Sequence, residues 1–213
     1  ARETGVDWTT IQGSGRDGRI REIDIVSASH HSQVTIPDGP GHLQPLPPVR
    51  RVIARRLAEA SSRVPTVTLF RTVRAENLVA RQVSEGASYT MLIMQLVAQG
   101  LRSHPVMNSS WTEQGIFFPD DVNIAFAVDT EEGLLAPVVA QADTLSLGEL
   151  DALGRSLAGR AKAGELRPPE LIGGTFTISN LGMHGVEEFT PLLNPPQCAT
   201  LGIGAIAALP VCE

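Results

Sequence analysis

Apolar residues recur at helical spacing in four stretches of the chain. This periodicity predicts helices over residues 49–60, 75–84 and 90–103, because positions three and four apart share one face of a helix. The last of these is apolar around most of its circumference, which predicts a buried helix. Ser146 and Glu149 have the S-x-x-E spacing of a capping box and are expected to open a fourth helix.

Alternating apolar and polar residues predict strands between and after these helices. The clearest alternation lies in residues 67–73, where Val67, Leu69 and Val73 share one expected face. Because helices and strands follow one another irregularly, the pattern predicts an α/β or α+β protein with a mixed sheet. Further strands are predicted over residues 108–112, 115–118, 122–128, 134–140, 175–179 and 199–206.

The same patterns divide the chain into three parts. Residues 1–27 form a small polar module with short helical periodicity. Residues 28–48 are rich in proline, glycine and serine without periodicity, which is typical of a flexible linker. Residues 49–213 carry the dense helix and strand patterns, so this part is expected to form the main domain.

Composition excludes several classes of protein. Hydrophobic residues make up 42% of the 213 residues and the formal net charge is only −6, so the chain is not intrinsically disordered. An excess of acidic over basic residues argues against a basic nucleic-acid binder. Two cysteines are too few for a disulfide scaffold or a zinc ribbon. No apolar run is long enough to predict a membrane-spanning helix, and no apolar stretch near the start predicts a secretory signal.

The segment from Gly13 to Gly18 matches the G-x-G-x-x-G pattern. A dinucleotide site would require a buried strand before the glycines, but the segment that precedes them is short and polar. A tight loop between two small helices is therefore favoured. Three basic residues, Arg16, Arg19 and Arg21, surround this loop. They form either a solvated face or a basic patch that docks an acidic protein partner.

The histidines give no clear metal or catalytic constellation. The adjacent pair His30 and His31 offers two imidazoles, but no carboxylate or cysteine lies at ligand spacing, so no metal site is predicted. His104 precedes a proline at a predicted helix end, and His184 lies in a loop between glycines. The remaining histidine, His42, lies in the predicted linker.

The stretch T-F-T-I-S-N-L-G over residues 175–182 is the most informative part of the chain. A strand of small residues ends there in a hydroxyl, an amide and a glycine turn. In one interpretation, Ser179 and Asn180 simply end the strand by bonding nearby backbone. In the other, Ser179 donates its O–H to an oxyanion that develops at the strand end.

Five segments together resemble a known family. They follow the family order over nearly the whole chain, and the resemblance is to the dihydrolipoamide acyltransferase component of 2-oxo acid dehydrogenase complexes. The first segment resembles the peripheral-subunit-binding domain of that family, and the others resemble its catalytic core. These segments are residues 5–26, 49–57, 123–139, 175–183 and 194–199.

The resemblance implies an α/β fold like that of chloramphenicol acetyltransferase, and transfer of an acyl group from dihydrolipoamide to coenzyme A. In the family, a histidine deprotonates the coenzyme A thiol, and a serine at the position of Ser179 holds the oxyanion. The active site forms between the subunits of a trimer. Residues 1–27, with Arg16, Arg19 and Arg21, are expected to bind the dehydrogenase or the dihydrolipoamide dehydrogenase. Such complexes occur in the bacterial cytoplasm, which we favour here, or in the mitochondrial matrix.

Two features depart from the family pattern. The catalytic histidine belongs to an H-x-x-x-D-G motif, which residues 1–213 do not contain. The lipoyl lysine belongs to a D-K-A turn, whereas the one lysine here, Lys162, lies in a predicted helix, so lipoate is expected on a lipoyl domain outside this chain. We therefore expect a fragment with a truncated core that is inactive by itself. The alternative is a non-catalytic scaffold that binds the other components.

Overall fold

The structure is a computed structural model. It describes residues 12–21, 24, 41–42, 44–47, 50–51, 53–55, 57–58, 64–131 and 133–210. The chain divides into two compact units, residues 1–45 and 46–213. No helix within the described ranges is long and apolar enough to cross a membrane.

The described part of the first unit is a tight glycine-rich loop. A 3₁₀ turn spans Arg16–Gly18, with Asp17 in the left-handed region at φ 61°. A side chain at Gly13 would overlap the carbonyl groups of Gly18 and Arg19, so the close return of the chain requires glycine there. The helix predicted before the loop and the pair His30 and His31 lie outside the described residues. Of the helix predicted after the loop, Asp24 is described and is helical.

Beside the helical residues between 50 and 58 and three 3₁₀ turns, the described part of the second unit contains three further α-helices and eight short strands. The predicted helical segment 49–60 is helical at the residues described between 50 and 58. The helices are α1 (Glu76–Glu85), α2 (Tyr89–Ser103) and α3 (Leu147–Lys162). The strands are β1 (Ser110–Thr112), β2 (Gly115–Phe117), β3 (Ile124–Phe126), β4 (Val128–Thr130), β5 (Gly133–Leu135), β6 (Val138–Val139), β7 (Phe176–Asn180) and β8 (Thr200–Ile203).

A four-stranded mixed sheet organises this unit, in the order β6-β3-β7-β8. Strand β3 pairs antiparallel with β6 and parallel with β7, and β7 pairs parallel with β8. Two hairpins, β1-β2 and β4-β5, complete the described strands. The mixed α/β class expected from the sequence is confirmed.

The hydrophobic core lies between the sheet and the helices α2 and α3. The sheet contributes Ile124, Phe126, Phe176 and Ile178, and the helices contribute aliphatic residues and methionines. The core residues on the helices are Met91, Met94, Ala98, Leu101, Leu150, Leu157 and Ala161. The core is mostly aliphatic, in line with an aromatic content of only 4%.

The predicted capping box at the start of α3 is confirmed. The backbone N–H of Glu149 donates to the Ser146 hydroxyl, and the backbone N–H of Ser146 donates to the Glu149 carboxylate at 2.8 Å. This reciprocal pair satisfies two donors that a helix N-terminus otherwise leaves free. Lys162 lies in the last turn of the same helix, as the sequence predicted.

The strand predicted over residues 67–73 is not formed. Residues 64–74 make no backbone hydrogen bond with other described residues, and Val67 and Leu69 are 88% and 90% exposed. A strand exists only where its N–H and C=O groups have a neighbouring edge to bond, and no described strand lies beside this segment. The prediction of a paired strand here is therefore wrong.

A three-residue ion cluster fastens the end of α3 to the loop that follows. The Glu170 carboxylate accepts from the Arg167 guanidinium at 2.9 Å, from the Arg167 backbone N–H at 2.9 Å, and from Arg160 at 2.8 Å. The Arg167 side chain, then its backbone N–H and then Arg160 hold the pKa of Glu170 down at about 2. Glu170 therefore remains charged at every pH at which the protein normally works.

Glu170→Gln is expected to destabilise the fold at neutral pH but not in strong acid. The pKa of Glu170 is about 2 in the fold, against 4.5 for a free carboxyl. Its stabilising contribution is therefore complete above about pH 4.5 and disappears as the pH falls through about 2. Urea unfolding of Glu170→Gln and of the unmodified protein across this range measures their free energies of unfolding. The difference between the two free energies should shrink as the pH falls. Glu165→Gln, at an exposed carboxylate without an ion pair among the described residues, is the control. A difference in unfolding free energy that stays constant with pH would contradict the stabilising role of the Glu170 charge.

Candidate active site

Strand β7 carries Ser179 and is enclosed by β3 on one side and β8 on the other. Phe176 and Ile178 point into the core against the helices. Successive strand residues point to opposite faces, so Thr177 and Ser179 lie on the face away from the helices. Ser179 is half-buried near the end of β7, whose first three residues are buried.

No described residue hydrogen-bonds to the Ser179 hydroxyl. The side chain stands beside Gly202 of β8, which has no side chain to offer a donor or acceptor. A half-buried hydroxyl without an internal partner is free to bond a group that enters from outside. This is the property that an oxyanion donor requires.

The neighbouring residue, Asn180, ends the strand. Its Oδ1 accepts from the backbone N–H of Gly182 at 2.9 Å, and its Nδ2 donates to the hydroxyl of Thr90 at 3.0 Å. The interpretation in which side chains terminate the strand thus describes Asn180. It does not describe Ser179, whose hydroxyl makes no such bond within the described chain.

A buried polar network supports the start of the same strand face. The Thr177 hydroxyl donates to Oε1 of Gln197 at 2.5 Å, and Nε2 of Gln197 donates to the carbonyl of Gly174 at 2.9 Å. Gln197 is only 4% exposed, so both ends of its amide need these partners. The loop that carries Gln197 is thereby fixed to the face on which Ser179 lies.

Two glycines allow the turn after Ser179 to cross the chain after β8 at close range. A side chain at Gly182 would strike the carbonyl oxygen of Gly204, and a side chain at Gly204 would overlap the carbonyl oxygen of Glu187. The backbone N–H of Leu181 donates to Ile203 at 3.0 Å across the same crossing. These contacts hold the strand end against β8.

The described histidine side chains of the second unit, those of His104 and His184, make no hydrogen bond to Ser179. His184 is exposed in the 3₁₀ turn Gly182–His184, and His104 is the exposed C-cap of α2, as its position before a proline predicted. His42 is exposed in the first unit. The side chains of His104 and His184 make no hydrogen bond to Asn180 either.

The basic residues of the first unit lie around the glycine-rich loop. Arg19 and Arg21 are exposed, and Arg16 lies in the 3₁₀ turn. The backbone N–H groups of Arg21 and Ser14 donate to the Asp24 carboxylate at 2.8 and 2.9 Å, and these bonds keep the pKa of Asp24 below its usual value. The loop is thus held by an internal carboxylate, and two arginines remain at its surface.

Sequence reasoning missed two residues that hold the strand end. Thr90 lies 90 positions before Asn180, inside a stretch identified only as a buried helix. Gln197 stands in the N-P-P-Q-C-A stretch, where the resemblance gave it no separate role. One signal could have pointed to Gln197, because it is an uncharged amide in a segment of otherwise apolar and small residues.

Comparison with known proteins identifies the family. The model of the 2-oxoacid dehydrogenases acyltransferase catalytic domain matches residues 39–213, and that of the e3 binding domain matches residues 1–26. The chain therefore belongs to the 2-oxoacid dehydrogenase acyltransferase family, and the resemblance noted in the sequence is confirmed.

Two curated relatives illustrate the match. One is the dihydrolipoyllysine-residue acetyltransferase component of the mitochondrial pyruvate dehydrogenase complex of Dictyostelium discoideum, 33% identical over 96% of this chain and 36% of the relative. The other is the same component of the complex of Rickettsia conorii, 34% identical over 97% of this chain and 54% of the relative. The chain thus spans about a third to a half of the length of these relatives.

Solved structures agree with the fold. Azotobacter vinelandii dihydrolipoamide acetyltransferase matches with a TM-score of 0.77 and 32% identity, over 82% of this chain and 76% of that one. One serine, one histidine and one asparagine of that enzyme have been investigated for their roles in its catalytic mechanism. The cubic core of the pyruvate dehydrogenase multienzyme complex also matches with a TM-score of 0.77 and 32% identity, over 83% of this chain and 77% of that one.

Proposed function

We propose that this protein moves an acyl group from dihydrolipoamide to coenzyme A within a 2-oxo acid dehydrogenase complex. The observation that carries the proposal is the Ser179 hydroxyl, which is half-buried at the end of β7 and has no bonding partner in the described chain. Family membership supplies the reaction class, and the strand end supplies the group that the reaction needs.

The chemistry assigns one task to this residue. The coenzyme A thiolate attacks the thioester carbonyl of the acyl donor, and negative charge develops on the carbonyl oxygen. A hydroxyl that donates to this oxygen stabilises the transition state more than the ground state. The dihydrolipoamide thiolate then leaves and takes up a proton, so the thioester passes to coenzyme A. The base that deprotonates the coenzyme A thiol is assigned by the family resemblance to a histidine in an H-x-x-x-D-G motif.

The proposal extends to the assembly and its surroundings. We assign residues 1–27 to docking of the dehydrogenase or dihydrolipoamide dehydrogenase components, residues 28–48 to a linker, and residues 49–213 to the acyltransferase core. The core is proposed to assemble as trimers, with the active site between subunits. The lipoyl group that carries the acyl group is a substrate of this core. The bacterial cytoplasm is the favoured location.

The direct experiment is a transfer assay with the full-length gene product. Acetyl-, succinyl- and branched-chain acyl-dihydrolipoamide are each offered with coenzyme A, and formation of the acyl-coenzyme A thioester is followed. Turnover with one of the three donors is expected. If none is transferred while the component enzymes still bind, the protein is a component-binding scaffold and the catalytic proposal is wrong.

Binding to the component enzymes is expected to weaken as salt rises. Arg19 and Arg21 present their charge at the surface of the first unit, and exposed charges are screened when the Debye length shortens. Titration of the chain against each component enzyme between about 0.05 and 0.5 M salt measures this dependence. The double variant Arg19→Gln and Arg21→Gln should bind more weakly and with a shallower salt slope. Arg71→Gln, in the second unit, is the matched control, and a salt-independent affinity would argue against the basic patch.

A further inference from the structure

The position of the Ser179 hydroxyl depends on its backbone. The hydroxyl makes no bond of its own within the described residues, so its place is set by the strand and by the turn that follows. Strand β7 is held by β8 up to the pair Asn180 and Ile203. Beyond that pair the chain leaves the sheet, and the backbone bond from Leu181 to Ile203 is joined there by bonds of the Asn180 side chain.

Asn180 provides this support on the helix side of the sheet. It shares a strand face with Ile178, which is buried against the helices, whereas Ser179 faces away. Its amide is satisfied at both ends, because Oδ1 accepts from Gly182 and Nδ2 donates to Thr90. One side chain therefore ties the residue after Ser179 both to its own turn and to the first turn of α2.

The helix end that Asn180 reaches is itself firmly anchored. The α2 N-cap, Ser88, accepts from the backbone N–H of Met91, and its own backbone N–H donates to Asp151 of α3 at 2.9 Å. Asp151 in turn accepts from Arg155 at 2.6 Å. A continuous series of hydrogen bonds and helical backbone thus runs from α3 through the start of α2 to the strand end.

We propose that Thr90 and Asn180 are positioning residues for acyl transfer, which act by fixing the Ser179 hydroxyl from the opposite face of the sheet. This inference rests on the proposed function, because it requires Ser179 to stabilise the oxyanion. Small displacements of a catalytic group cost large factors in rate, so weakening the link lowers kcat. Because the link lies on the opposite face of the sheet from Ser179, we expect KM to stay nearly unchanged.

Thr90→Val tests the link with little change in shape. In the full-length gene product, this variant removes the acceptor for Asn180 Nδ2 and leaves the Asn180–Gly182 bond in place. It is expected to lower kcat by roughly tenfold to a hundredfold. Thr90→Ser keeps the hydroxyl and should restore most of the rate. Thr144→Val removes an exposed turn hydroxyl that bonds Gln141, and serves as the control for threonine substitution.

A double-variant cycle separates positioning from general destabilisation. If Thr90 acts through Ser179, Thr90→Val costs no further activity once Ser179→Ala has removed the hydroxyl, so the two losses are strongly non-additive. Rates are counted per folded molecule, measured by circular dichroism, so that partial unfolding does not enter. Asn180→Ala, which removes both bonds, should behave as Thr90→Val does in this cycle.

The outcomes are distinguishable. If Ser179→Ala lowers kcat but Thr90→Val leaves it unchanged, or lowers it equally in both backgrounds, the positioning inference is overturned and the proposed function stands. If Ser179→Ala itself leaves kcat unchanged, the oxyanion assignment fails and the positioning inference fails with it. Loss in Thr90→Val, rescue by Thr90→Ser and non-additivity together support the inference.

Discussion

Ser179→Ala is expected to lower the kcat of acyl transfer by about 10²–10³-fold and to leave both KM values nearly unchanged. The hydroxyl acts on the oxygen that becomes negative only as the thiolate attacks. Its loss therefore raises the transition state by about 3–4 kcal/mol without weakening substrate binding. Steady-state kinetics of the full-length gene product with both substrates varied separates the two parameters.

The structure offers a matched control for this variant. Ser156→Ala removes an exposed hydroxyl on α3 and is expected to leave kcat unchanged. If Ser179 only supported the fold, its replacement would cost stability, and kcat per folded molecule would stay within a few-fold of normal. Thermal unfolding of both variants beside the kinetics decides between a catalytic and a structural hydroxyl.

Gly204→Ala is expected to cost about 3 kcal/mol of unfolding free energy, at the upper end of the costs of overpacking. The added methyl group would overlap the carbonyl oxygen of Glu187 and approach that of Val186. Both obstacles are backbone atoms, and the same segment accepts the backbone N–H of Ala205 at 2.8 Å. The chain must therefore separate at the crossing that holds the strand end. Urea unfolding followed by circular dichroism measures the loss.

A second glycine provides the opposite expectation. Gly159 lies on the exposed face of α3, and a side chain there meets no atom within 4 Å. Gly159→Ala should stabilise the protein by about 0.5–1 kcal/mol, because alanine loses less backbone entropy in a helix. Equal effects at the two positions would show that the crossing is not tightly packed.

Features set by neighbouring residues were predicted well. The capping box needs only Ser146 and its partner three positions on, and helix α2 shows in its own apolar periodicity, although it buries one face and leaves Leu96 exposed. Strand β7 followed from a local motif and a family resemblance, whereas the catalytic role of Ser179 stays a prediction. These elements depend on short-range patterns, which the sequence displays directly.

Features set by distant residues were not predicted. Alternation over residues 67–73 indicates an extended chain, but it says nothing about whether another strand lies alongside. The bond between Thr90 and Asn180 joins residues 90 positions apart, and neither residue reveals its partner. Likewise, the Asn180 side chain is hydrogen-bonded and the Ser179 hydroxyl is not, because the two residues lie on opposite faces of the strand and the fold places different groups beside each face.

The open segment 64–74 has a consequence for the handling of the protein. Arg71 and Arg74 are exposed on an extended chain without backbone bonds to other described residues, which is how a protease such as trypsin needs its substrate. Where the segment is uncovered, a protease is therefore expected to cut it before it cuts the helices or the sheet. Cleavage at this point would separate residues 50–58 from the rest and leave β7 with Ser179 intact. An assembly that covers the segment would protect it, so resistance to limited digestion reports how much of the protein is assembled.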